Sequence, residues 1–80
     1  MNNITLEEAK TIIIQSLPDR QIVGYYEVPQ GFIFVATLSI LLGGALAGTV
    51  HFLVANDGRV SIADPVEYKL GDKQFIRLLP

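Results

Sequence analysis

The chain has 80 residues, half of them hydrophobic and 18% charged, with a net charge of -2. That composition is too apolar for intrinsic disorder, and the charge is the wrong sign for a basic nucleic-acid footprint. With no Cys and one His, disulfides, Cys-ligated metals, thiol nucleophiles and a multi-histidine metal site within one chain are excluded. The charges are unevenly spread: the 29 residues between Glu27 and Asp57 carry none.

The opening, Met1-Asn2-Asn3-Ile4, has no basic region followed by an apolar core, so it does not read as a secretory signal; a soluble chain of this kind is expected in the cytoplasm. Thr5-Leu6-Glu7-Glu8 has the form of a capping box, with the Thr5 hydroxyl and the Glu8 carboxylate each positioned to serve the other's backbone N–H. Leu6, Ala9, Ile12, Ile13 and Leu17 follow at helical spacing, and Pro18 stops the helix near Ser16 or Leu17. Three turns are unstable alone in water, so the apolar stripe needs a sheet to cover.

The pattern then changes. Ile22-Val23-Gly24-Tyr25-Tyr26-Glu27-Val28 is rich in β-branched and aromatic residues, Pro29-Gln30-Gly31 is turn chemistry, and Phe32 to Leu38 reads as the returning strand. Gly43, Gly44 and Gly48 mark a loop, and Thr49 to Ala55 reads as a third strand. Asn56-Asp57-Gly58 is a tight turn into a fourth, Arg59 to Ile62. After Ala63 the signals conflict. Asp64-Pro65-Val66-Glu67 suits a helix start, whereas Val66, Tyr68 and Leu70 alternate at strand period. Residues 66–79 are therefore open between helix and strand.

The charge-free stretch has two incompatible readings. Phe32 to Val50 is 19 residues with 13 apolar, long enough for a single membrane span, and Gly44 to Gly48 is a GxxxG. Against a span stand the strand formers Phe32 to Val35, the glycines that interrupt it, the lack of flanking basic clusters and the Asn56-Asp57-Gly58 hairpin. A sheet covered on both faces gives long apolar strands without a membrane. The expected fold is one α+β domain over residues 1–80. It packs an N-terminal helix on an antiparallel sheet of about four strands, followed by a short C-terminal element.

The order of elements resembles the YrhB-like family, which overlaps a group of polymorphic-toxin immunity proteins. The residues that carry the resemblance are Ile4 to Ala9, Val23-Gly24-Tyr25, Gly31 to Phe34, Ala45 to Gly48, Phe52-Leu53-Val54, Asn56 to Val60 and Pro65-Val66-Glu67-Tyr68. Phe32 stands where the family usually has Trp, Thr49 where it usually has Asn, and the loop at Leu41 to Gly44 is shorter and less charged. The resemblance implies a small α+β domain that inhibits a cognate toxin by binding in the cytoplasm, or a chaperone-like role, without catalysis.

Candidate chemistry is sparse. His51 is the one side chain that titrates near neutrality unperturbed, but no Cys, Ser or Asp motif accompanies it, so a strand or contact role is favoured over a catalytic base. Gly43-Gly44 and Gly48 lack the Lys-Ser/Thr of a phosphate loop. Tyr25 and Tyr26 fall on opposite sides of a strand, so at least one belongs to the core. The face away from the helix, carrying Thr37, Ser39 and His51, is expected to be covered by a homodimer or a protein partner. The candidate partner contacts are Tyr25, Glu27, Thr37, Ser39, His51 and Asp57. No cofactor, metal, nucleic acid or enzyme activity is expected. The lead reading is a cytoplasmic immunity or inhibitor protein that occludes a toxin. The alternatives are a chaperone-like or regulatory binding module, or a single-pass membrane protein spanning about 32–50.

Overall fold

A computed structural model describes residues 3–18, 20–37 and 49–78, the side chain of Thr37 excepted. Helix α1 (Leu6–Ser16) precedes strands β1 (Ile22–Val28), β2 (Gly31–Thr37), β3 (Thr49–Ala55) and β4 (Val60–Ile62). A short 3-10 turn at Leu70–Asp72 and a two-residue strand β5 (Ile76–Arg77) follow. The strands form one antiparallel sheet in the order β4-β3-β2-β1-β5, with the helix packed against β2 and β3. The expected α+β architecture is present, with five strands among the described residues where about four were expected.

The helix starts as its sequence dictates. The Glu8 backbone N–H donates to the Thr5 hydroxyl at 3.2 Å, and the Thr5 N–H donates to the Glu8 carboxylate at 3.1 Å, closing the capping box. That ordering of its oxygens holds the Glu8 carboxyl below its ordinary pKa, chiefly through the backbone N–H of Thr5. At the other end Leu17 still donates to Ile13, and Pro18 ends the run.

Sheet alternation divides the apolar residues between two faces. Ala9 and Ile13 bury completely against Phe34 and Val54, with Tyr25 beside them. Tyr25, Phe32 and Phe34 form an aromatic cluster with ring centroids 5.8–6.4 Å apart, the Tyr25–Phe32 pair edge to face. A β-bulge between Ile22 and Gly24 shifts the register so that Gly24 faces away from the helix opposite Val35. Arg20 lays its guanidinium over the Phe52 ring, 5.6 Å from the centroid.

The second face carries a segment of the chain that its apolar pattern did not foretell. It is covered in part by the chain itself. Because β4 and β5 lie at opposite edges, the segment between them must cross the sheet. Asp64 starts the crossing: its carboxylate accepts from the Val66 N–H at 2.9 Å, and its carbonyl accepts from Tyr68. Ala63 and Leu70 then bury over Ile33 and Leu53, flanked by Tyr26, Val28, Ala55 and Tyr68. Phe75 stacks on Tyr26 at 5.2 Å and closes over Gly24, where its ring occupies the space a Cβ would need. The open question over residues 66–79 resolves, as far as residue 78, into turns, one 3-10 turn and a two-residue strand, with Lys69 held in the left-handed region at φ 54°; Leu79 lies outside the described residues.

β2 and β3 pair through the whole of Gly31↔Ala55 to Thr37↔Thr49, so both ends of the apolar window 32–50 are extended strand. Among the described residues no helix is long and apolar enough to cross a membrane.

Candidate functional site

Six positions were singled out as contacts, and the fold scatters them. Tyr25 is buried beneath the helix, 7% exposed, and its ring packs in the core. Glu27 is exposed one register step from the β1–β2 turn, opposite Phe32. Asp57 is exposed in the β3–β4 turn, accepting from the Arg59 N–H at 3.0 Å and pairing with the Arg59 side chain at 3.3 Å. The two turns are tied together, since Asn56 donates to the carbonyls of both Pro29 and Gln30. Glu27 and Asp57 thus share one end of the sheet. His51 is on the second face, paired with Val35 and half-buried. Desolvation lowers its pKa below the usual imidazole value, which favours the neutral ring at neutral pH. Thr37 pairs with Thr49 through its backbone, but its side chain lies outside the described residues, as do Ser39 and the glycine loop at 43–48.

Two open grooves flank these turns. One, of about 330 Å³, runs between the start of α1 and the β3–β4 turn and is lined by Ile4, Glu8, Ile12, Asn56 and Asp57 among others. The other, of about 250 Å³, lies where Glu67 to Lys69 and Lys73 pass the β1–β2 turn. Both are smaller than or at the bottom of the usual range for ligand pockets, and both are lined by polar groups. Among the described residues no group of three His, Asp or Glu side chains converges as a metal site would require.

The β4 edge carries apolar side chains in the open, and none of the six positions lies on it. Among the described residues no strand pairs with its outer side, because β4 is the last strand in the order. Ile62 is 76% exposed there, and Val66, four residues on, is 81% exposed. The strand is short, three residues, which limits what can pair with it, but it carries no Pro, no Lys and no bulge. The signal was present in the sequence as an alternating strand, Val60-Ser61-Ile62, after a tight turn, but its position at the edge depends on the strand order.

No family model matches the chain, and no curated protein or solved structure matches it.

Proposed function

We propose that this chain is a non-catalytic protein-binding domain, a small inhibitor whose partner is a cognate toxin and whose working location is the cytoplasm. The observation that carries the reading is the exposed apolar side chain on the edge strand, Ile62 on β4. Exposed large aliphatic groups on an open edge favour docking of another polypeptide, by added backbone hydrogen bonds and a buried side chain. The resemblance of the helix, hairpin and turn motifs to immunity proteins supports the choice of toxin as partner. The mild negative charge and the exposed carboxylates Glu27 and Asp57 beside the joined turns suit a basic contact at the rim. Inhibition then follows from occlusion, with no bond made or broken by this chain.

The test is co-expression with the product of the adjacent gene, followed by affinity purification. A stoichiometric complex that is lost in Ile62→Lys, with the variant's circular dichroism unchanged, is the expected result. If the adjacent gene encodes no toxin, or its product does not bind, the inhibitor reading fails.

A further inference from the structure

The hydrogen-bond phase of β4 defines what the open edge can accept. Ala55 donates to the Arg59 carbonyl at 2.8 Å, and Ala63 donates to the His51 carbonyl at 2.9 Å. Leu53 pairs with Ser61 midway between them. In an antiparallel ladder the bonded positions alternate, so Arg59, Ser61 and Ala63 turn their backbone groups inward to β3. The N–H and C=O of Val60 and Ile62 therefore point outward from the sheet.

We infer that this edge takes a second copy of the same chain, β4 against β4, antiparallel and centred on Ser61. The strand is its own complement in that register. Val60 of each copy lies opposite Ile62 of the other, and these are the residues with free backbone groups, so two doubly hydrogen-bonded pairs form. The same pairing sets the exposed Ile62 beside the other copy's Val60 on the helix side of the joined sheet, an aliphatic cross-strand contact. Ser61 meets Ser61 across the two-fold axis as the intervening non-bonded pair. Charge selects the direction. Arg59 precedes the strand and Asp64 follows it, so antiparallel alignment brings each Arg59 toward the end where the other copy carries Asp64. Parallel alignment would set like charges side by side. The two-fold axis perpendicular to the sheet closes the pair, giving a continuous ten-stranded sheet from two five-stranded ones, as an isologous dimer requires. An interface of one short strand from each copy is small, so the association is weak and concentration-dependent. The inference rests on strand geometry and holds whether or not the partner of the single chain is a toxin.

The absence of native Cys makes the register directly testable. Ser61→Cys places two thiols across the axis at a Cα separation of about 4.5 Å, within disulfide range. Arg59→Cys sits on the same edge but out of register with itself, and Gln15→Cys lies on the helix; both serve as controls. Mild oxidation should cross-link Ser61→Cys into a dimer and leave both controls monomeric. Ile62→Lys added to Ser61→Cys should slow cross-linking by about tenfold or more, because two charges then crowd the joint. Light scattering of the unmodified chain should show reversible mass increase toward a dimer at concentrations on the order of 1 mM. A folded Ser61→Cys that stays monomeric, an Arg59→Cys that cross-links as fast, or an unmodified chain that remains monomeric throughout would each overturn the inference.

Discussion

Gly31→Ala is the substitution whose cost the structure fixes most directly. Gly31 opens β2 with φ at +146°, a conformation that side-chain-bearing residues rarely adopt. A methyl group there would collide with the Val54 carbonyl oxygen and lie 3.0 Å from the Ala55 Cα. Those are backbone atoms of β3, fixed by the Gly31↔Ala55 pairing, so no rotamer change relieves the contact. Backbone strain of about 1–3 kcal/mol and overpacking of about 1–3 kcal/mol then combine to about 2–6 kcal/mol. At about 0.05–0.15 kcal/mol per residue the whole domain has about 4–12 kcal/mol, so the variant loses a large part of its stability. Gly71→Ala is the internal control, since nothing lies within 4 Å of the added group and its φ is ordinary. Urea unfolding followed by circular dichroism measures both. The expected result is a sharply lowered midpoint for Gly31→Ala and a shift of less than about 0.5 kcal/mol for Gly71→Ala. If Gly31→Ala unfolds within about 0.5 kcal/mol of the unmodified chain, the close β2–β3 approach is wrong.

The other predictions concern the helix cap, the second face and pH. Thr5→Ala removes the acceptor for the Glu8 N–H and should cost about 1 kcal/mol by urea unfolding; no loss would mean the cap is not formed in solution. Leu70→Ala should cost about 2–4 kcal/mol, because Leu70 is 4% exposed over Ile33 and Leu53; a cost like that of a surface residue would show that the C-terminal crossing does not pack there. His51 has a folded pKa below its unfolded value, so its contribution is fully present above the usual imidazole range. That contribution is lost as pH falls through the unfolded value toward the lower folded one. Urea midpoints measured from about pH 7.5 to pH 5 should therefore decline, and His51→Asn should flatten that decline. An identical pH profile in the variant would remove His51 as the cause.

Local chemistry was readable in the sequence and long-range placement was not. The capping box, the Pro18 stop, the two hairpin turns and the alternation of β1 to β3 depend on residues close in the chain, and each sits where its signal puts it. The conflict over residues 66–79 arose because Asp64 and Pro65 carry turn chemistry, while Tyr68 and Leu70 reach inward for a reason that lies elsewhere. They cover Ile33 and Leu53, which are neighbours only after β2 and β3 pair. The same non-local step hides from the sequence that the chain itself covers part of the second face. A strand pattern shows that a face is apolar, but not that the chain will cross from one sheet edge to the other to cover it. Tyr25 and Tyr26 illustrate the limit: adjacency sets them on opposite faces, and only the helix position decides that Tyr25 is the buried one.

Amide hydrogen exchange by NMR shows whether β4 is an open edge offered to another polypeptide. In dilute solution Ser61 should be protected by its bond to β3, while Val60 and Ile62 exchange freely. On adding a bound partner, or on raising the concentration of the chain itself, the Val60 and Ile62 amides should become protected and the rest of β4 should change little. If Val60 and Ile62 are already as protected as Ser61 when dilute, or remain unprotected in the bound state, β4 is not the binding edge.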